Sequence, residues 1–137
     1  ISISGICQRH TECLLWRSKR EEILNMTISY SDFVKVEMRV GRIVEVQDNI
    51  PGAKKKYYRL KIDFGKEIGV KNCAAQITDL YKPEDLLNRL VLAVTNFEPK
   101  KIVDYKSEVL VLGVSDEKDR VILLKPEFDA PLGTRVL

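Results

Sequence analysis

An alternating segment near the start of the chain constrains the fold more than any other feature. Val36, Met38 and Val40 are apolar, and the residues between them are charged. Because successive side chains of a strand point to opposite faces, this period of two predicts a half-buried β-strand. Gly41 then interrupts the pattern, and later apolar residues resume it with a changed phase. A glycine inside a strand is typical of a bulge or sharp bend, as the corners of a small barrel require.

The order of the remaining apolar segments predicts the topology. Four of them predict strands: residues 57–64, 68–75, 90–97 and 109–114. Between the third and fourth strands, residues 76–89 contain a helix start, because Pro83 is followed by two acids that suit a helix N-terminus. Three strands, a helix and two strands form the order of the OB-fold. We therefore expect an all-β, five-stranded OB-fold barrel with a helix between strands 3 and 4; an open α+β sheet is the alternative.

Short extensions flank the predicted barrel. Residues 29–35 predict one or two helical turns with Ser31 as the N-cap. Phe33 and Val34 would then dock on the core. At the other end, a short extra strand at residues 121–124 leads into an irregular tail.

Residues 1–25 differ from the rest of the chain. They hold the only histidine and the only tryptophan, and they precede the first methionine, Met26. We expect the OB-fold domain to span residues 26–137 and residues 1–25 to be a leader outside it, either disordered or a non-native or upstream-translated extension. The alternative is a short amphipathic helix, whose apolar residues would be Leu14, Leu15, Ile23 and Leu24.

The composition disfavours catalytic, metal and membrane roles. No histidine follows Met26, and no glycine-rich phosphate loop or nucleophile elbow is present. The three cysteines have no metal-binding spacing, and Cys73 is predicted to be a small core residue rather than a nucleophile. No apolar run approaches the roughly 18 residues of a membrane helix. We expect a cytoplasmic, non-enzymatic protein without cofactor, metal or membrane insertion.

A basic run with an aromatic residue lies between the first and second predicted strands. Its candidate ligand contacts are Lys54, Lys55, Lys56, Tyr57 and Arg59. Bases beside an aromatic ring suit phosphate contact and stacking on unpaired nucleotides, and OB barrels bind ligands on strands 2 and 3. Tyr58 shares its parity with Leu60, so we predict Tyr58 inward and Tyr57 outward. The alternative is a solvated loop that touches no ligand.

A polar connection joins the fourth and fifth predicted strands. Lys100 and Lys101 follow Pro99, whose ring fixes the local path of the chain, and two bases on a stiff corner suit phosphate contact. Asn96 and the pair Ser107-Glu108 are further candidate contacts. The alternative is that these three residues only hydrogen-bond the adjacent turns.

Two motifs resemble those of a known family. The first comprises Phe33 and Arg39-Val40-Gly41-Arg42-Ile43; the second comprises Asn96-Phe97-x-Pro99-Lys100-Lys101-Ile102 and Ser107-Glu108. Together they resemble the tRNA-binding domain of the endothelial monocyte-activating polypeptide family and of the C-terminus of some methionyl-tRNA synthetases. Within that group the chain is similar to the small stand-alone CsaA proteins, on segments 62–69, 74–78, 106–113 and 131–134.

The resemblance implies an OB-fold that binds tRNA or tRNA-like RNA. It also implies a homodimer formed through the N-terminal helical turn and the C-terminal tail. CsaA proteins are further described as export-related chaperones, which implies binding of unfolded polypeptides at an apolar groove of the dimer. The implied RNA contacts are Arg39, Asn96, Lys100, Lys101, Ser107 and Glu108. Glu37-Met38 and Val109-Leu110 depart from the tRNA-binding pattern, and the second departure favours the CsaA branch.

Overall fold

The computed structural model describes residues 26–137. The leader and the amphipathic helix that the sequence predicts at residues 1–25 lie outside the described residues. Neither helix within residues 26–137 is long and apolar enough to cross a membrane.

The described residues form two short helices and nine strands. In chain order these are α1 (Tyr30–Val34), β1 (Met38–Asp48), β2 (Tyr58–Asp63), β3 (Val70–Ala75), α2 (Pro83–Leu86), β4 (Leu90–Val94), β5 (Lys100–Ile102), β6 (Tyr105–Ser107), β7 (Leu110–Val111), β8 (Gly113–Ser115) and β9 (Val121–Leu123). Five strands form one antiparallel sheet in the order β3-β2-β1-β4-β7, which curls into a nearly closed barrel. The strand order and the helix between β3 and β4 confirm the predicted OB-fold.

The core of the barrel follows from the alternation of apolar side chains. Ile43 of β1 and Leu60 and Ile62 of β2 are fully buried, and Val91 of β4 meets them in the same cluster. α2 adds Leu86, which is also fully buried. Burial of each such side chain stabilises the fold by about 1.5–3 kcal/mol, so this cluster holds the strands together.

Gly41 is required by close packing and not by a bend. A Cβ atom at this position would lie 2.5 Å from Ile62 Cγ2 and 2.7 Å from Phe64 Cε1. The irregularity of β1 instead lies between Ile43 and Glu45, where the register with β2 shifts. The predicted irregularity of β1 is therefore present as a register shift, but it lies about three residues beyond the glycine.

The N-terminal helical turn forms, with two corrections to its predicted details. Ser29 is the N-cap, and its hydroxyl accepts a hydrogen bond from the Asp32 N–H at 3.1 Å. The predicted cap, Ser31, lies inside α1, and its hydroxyl hydrogen-bonds Ser29 Oγ. No residue of α1 is buried, so the prediction that Phe33 and Val34 dock on the core is wrong. The helix contacts this barrel too weakly to bury a side chain.

The predicted connection between the fourth and fifth strands is itself a β-hairpin. β5 and β6 pair through Lys100–Ser107, Lys101–Lys106 and Ile102–Tyr105. The fifth strand predicted at residues 109–114 is divided, because Leu110–Val111 pairs with β4 whereas Gly113–Ser115 pairs with β9. The predicted extra strand at residues 121–124 is confirmed as β9. The predicted helix is confirmed at Pro83 but ends at Leu86.

The C-terminal tail lies along the first residues of β1. The Val40 N–H donates to the Thr134 carbonyl at 2.9 Å, and the Gly133 N–H donates to the Val40 carbonyl at 2.8 Å. The Val136 N–H donates to the Met38 carbonyl at 2.8 Å. The pairing of β1 with β2 begins only at Arg42. Before that residue, the tail therefore provides the hydrogen-bonding partner on this edge of β1.

Candidate nucleic-acid interface

Two side chains join β3 to the last residue of β6 and to the residue after it. Ser107 Oγ accepts a hydrogen bond from the Ala74 N–H at 3.0 Å, and Glu108 Oε2 accepts one from the Asn72 N–H at 3.0 Å. The Glu108 N–H donates to the Asn72 carbonyl at 2.8 Å. We call this contact the barrel seam. The alternative considered from the sequence was that Ser107 and Glu108 only hydrogen-bond the adjacent turn. Most of their hydrogen bonds instead reach across the barrel to β3.

A narrow cleft opens beside the barrel seam. It has a volume of about 50 Å³ and is lined by Tyr57, Ala74, Phe97, Glu98, Lys100, Ile102, Ser107, Glu108, Val109 and Leu110. Four residues predicted to contact RNA, which are far apart in the sequence, therefore meet here: Tyr57, Lys100, Ser107 and Glu108. Most of the lining is apolar or aromatic, and the polar groups are those of the seam, Glu98 and Lys100.

The two loops that carry the predicted lysines lie next to each other. The turn of the β5–β6 hairpin approaches the loop after β1, because a Cβ atom at Gly52 would lie 3.6 Å from Val103 Cγ1. The surface formed by these two loops carries six lysines, which we call the lysine surface: Lys54, Lys55, Lys56, Lys100, Lys101 and Lys106. All are exposed except Lys55, which is half-buried. None of the four ion pairs found within residues 26–137 involves a member of this set.

Arg59 lies on β2 between the lysine surface and the barrel seam. Its Nη2 donates to the Asp48 carbonyl at 3.2 Å, whereas its buried Nε has no hydrogen-bond partner among the described residues. Its charge acts on Tyr105, whose hydroxyl donates to the Leu60 carbonyl at 3.3 Å. Burial raises the pKa of Tyr105 to about 12, and the Arg59 charge opposes that rise. Arg59 is therefore half-buried beside a neutral phenol.

Arg39 and Asn96 do not line the cleft; both are held by other parts of the chain. Arg39 donates to the Gly133 carbonyl at 2.8 Å and pairs with Glu37 at 3.3 Å. Asn96 Oδ1 accepts from the Glu37 N–H at 3.0 Å, and its Nδ2 donates to the Lys35 carbonyl at 2.6 Å. These two residues fasten the start of β1 to the tail and to the end of β4.

Comparison with known proteins identifies the family. The family model described as "Putative tRNA binding domain" matches residues 38–135, which is most of the chain. The chain belongs to this tRNA-binding domain family. The family assignment made from the two sequence motifs is therefore confirmed.

Relatives of this tRNA-binding domain include both enzymes and stand-alone proteins. Methionine–tRNA ligase of Pyrococcus abyssi is 41% identical over 118 residues, which cover 86% of the chain but 16% of the ligase. The chain thus spans about a sixth of the length of that ligase. The crystal structure of chaperone CsaA from Bacillus anthracis is 40% identical, with a TM-score of 0.76, and matches 82% of this chain and 100% of that one. The crystal structure of the CsaA chaperone from Picrophilus torridus is 48% identical, with a TM-score of 0.74. It matches 81% of this chain and 100% of that one.

The tyrosine and cysteine positions of the tRNA-binding domain follow the sequence predictions. Tyr58 is buried, and its hydroxyl donates to the Tyr81 carbonyl at 2.8 Å, whereas Tyr57 faces the cleft. Cys73 is buried in the core, and burial raises the pKa of its thiol to about 11. At neutral pH this thiol is protonated and packs as a small apolar group.

Sequence analysis missed Phe97 as a residue of the cleft. It was included in an apolar run expected to be core, but its side chain is 48% exposed. β4 ends at Val94, three residues before it. The signal available in the sequence was Asn96 before Phe97 and Glu98-Pro99 after it, since polar residues and proline commonly end a strand.

Proposed function

We propose that this domain binds tRNA or a similarly structured RNA through the lysine surface and the adjoining cleft, and that it has no catalytic activity of its own. The observation that carries the proposal is the set of six lysines on two adjacent loops, none of which forms an ion pair within residues 26–137. Lysine side chains attract the phosphate backbone of RNA, and their binding releases the counterions condensed on it. Membership of the tRNA-binding domain family supports tRNA as the RNA that is bound. Its place of action would be the cytoplasm.

A salt titration tests this proposal. A fluorescent tRNA transcript is titrated with the protein at several salt concentrations, and log Kd is plotted against log salt concentration. Each phosphate contact contributes a slope of about 0.7–0.9, so several contacts must give a steep dependence. Affinity that is weak and independent of salt would reject the lysine surface as an RNA site.

A second candidate function is the binding of unfolded polypeptides at an apolar groove of a homodimer. The observation that favours it is the exposure of apolar residues at the start of the described part of the chain: Met26 is 69%, Ile28 70% and Tyr30 74% exposed. A large exposed apolar patch is typical of an interaction surface. The tail contacts this region, because Arg135 donates a hydrogen bond to the Val34 carbonyl. The dimer would form through α1 and the tail.

Two measurements separate this second function from the first. Light scattering coupled to gel filtration should give twice the mass of the chain if the dimer forms. Suppression of aggregation of a denatured client protein should survive substitution of Lys100 and Lys101 if the apolar groove is responsible. A monomer with no effect on aggregation would reject the chaperone function and leave the RNA proposal untouched.

A further inference from the structure

We infer that the cleft beside the barrel seam receives one unpaired nucleobase of the bound RNA and favours a base that carries an exocyclic amino group. This inference rests on the proposed RNA binding and specifies what the cleft contributes to it. The lysine surface would hold phosphates and would be indifferent to sequence, whereas the cleft would read one base.

The cleft has room for the edge of a flat ring but not for the whole ring. A volume of about 50 Å³ has room for roughly three to five water molecules, at about 10–15 Å³ each. That is too narrow for a helix or for several side chains of a peptide. Tyr57 and Phe97 supply aromatic surface in the lining, and aromatic side chains contribute to binding of unstacked bases by stacking.

The barrel seam fixes one carboxylate in the lining of this cleft. Glu108 Oε2 is bound to the Asn72 N–H at 3.0 Å, so the group cannot rotate freely. Its other oxygen, Oε1, makes no hydrogen bond within the described part of the chain and remains accessible. An ionised carboxylate only accepts hydrogen bonds. The cleft therefore presents an oriented acceptor to whatever enters it.

An accepting oxygen distinguishes between bases that are otherwise similar. Cytosine offers an exocyclic amino group, and carboxylates accept hydrogen bonds from it in known recognition. Uracil has carbonyl oxygens on either side of its only N–H donor, and these oxygens repel a carboxylate. Adenine and guanine also carry amino groups, but they differ from the pyrimidines in size and stacking. Cytosine and uracil are therefore the matched pair for a test.

The seam also argues against an extended peptide as the occupant. A peptide strand would bind by adding to a free sheet edge through its backbone. Beside the cleft, the N–H groups of Asn72 and Ala74 on β3 are already bound by Glu108 and Ser107. Lys100, in the lining of the cleft, can contact a phosphate of RNA, a group that a generic polypeptide lacks.

The test uses the full chain and two RNA hairpins with identical stems, whose loops consist of cytidine or of uridine. We expect the cytidine loop to bind about tenfold to a hundredfold more tightly, as one hydrogen bond to a charged acceptor implies. Glu108→Gln keeps an oxygen for the Asn72 N–H and turns an amide donor toward the cleft, so the preference should shift toward uridine. Glu117→Gln, in the turn between β8 and β9, removes the same charge elsewhere and should change nothing. Thermal unfolding of each variant checks that it is folded.

The outcomes separate this inference from the proposed function. Equal binding of both loops, unaltered by Glu108→Gln, overturns base reading while a steep salt dependence keeps the RNA proposal standing. If the full chain binds neither hairpin at low salt, both the base-reading inference and the proposed RNA function are wrong. If Tyr57→Ala weakens binding of a denatured, carboxymethylated protein but leaves RNA affinity unchanged, the cleft is a peptide site and the inference fails.

Discussion

Glu108 and Asn72 exchange two hydrogen bonds across the barrel seam. The Asn72 N–H donates to Glu108 Oε2 at 3.0 Å, and the Glu108 N–H donates to the Asn72 carbonyl at 2.8 Å. Ser107 adds a third bond, to the Ala74 N–H. Two of the three bonds end on side chains. The seam can therefore be weakened by single substitutions in a way that a backbone ladder cannot.

Ser107→Ala should lower the free energy of unfolding by about 1–3 kcal/mol, because it leaves the half-buried Ala74 N–H without its acceptor. Urea denaturation followed by circular dichroism measures the change. Ser115→Ala is the matched control, since Ser115 is exposed in β8. Equal stability of the two variants would show that the Ser107 hydroxyl contributes nothing to the seam.

Replacing Lys100 and Lys101 together by alanine should weaken tRNA binding and reduce the slope of log Kd against log salt by about 1.4–1.8, corresponding to two lost phosphate contacts. The control variant replaces Lys66 and Lys118, which are exposed in other turns, by alanine. It lowers the net charge by the same amount. A slope that falls equally in both variants would mean that total charge matters and position does not. An unaltered slope in the first variant would exclude the two lysines from the interface.

Gly41→Ala should destabilise the barrel by about 1–3 kcal/mol, because the added methyl group would overlap Ile62 and Phe64 in the core. Gly69→Ala is the informative comparison. Gly69 has a φ of +79° but no atom within 4 Å of an added Cβ, so it carries only backbone strain of about 1 kcal/mol. Thermal unfolding of both variants should therefore rank Gly41→Ala as the more damaging change. The reverse order would contradict the packing role of Gly41.

Tyr105 should make the stability of the domain fall at high pH. Burial favours its neutral phenol and raises its pKa from 10.0 to about 12, whereas an unfolded chain ionises this group at its ordinary pKa. The stabilisation is therefore complete below pH 10 and is lost as the pH rises toward 12. Absorbance titration of tyrosinate should show a late step that Tyr105→Phe removes.

Elements with strong apolar periodicity could be predicted from the sequence, and elements without it could not. The alternation in β1 and β2 located both strands, and the parity of Tyr58 with Leu60 correctly placed one tyrosine inside. The hairpin of β5 and β6 was missed because its strands are three residues long and lysine-rich, too short to show an apolar periodicity. The sequence pattern marked Gly41 as exceptional. It could not show why glycine is needed there, because the side chain that Gly41 contacts, Ile62, belongs to another strand.

The candidate site was only partly predictable for a related reason. Tyr57, Lys100, Ser107 and Glu108 were each proposed from local composition, but their meeting at one cleft depends on closure of the barrel. The bonds of Ser107 and Glu108 to β3 join residues 33 and 36 positions apart. No local pattern specifies such partners. Phe97 was assigned to the core because hydrophobicity alone does not show where a strand ends.

The pairing of the tail with β1 has a consequence for the order of events during synthesis. Val40 bonds to Gly133 and Thr134, so the first strand of the barrel receives this partner only from residues made more than ninety positions later. Closing so long a loop is slow compared with forming local contacts. On the ribosome, the nascent barrel must therefore wait with one edge of β1 exposed, and chaperones or neighbouring chains can reach that edge until translation supplies the tail.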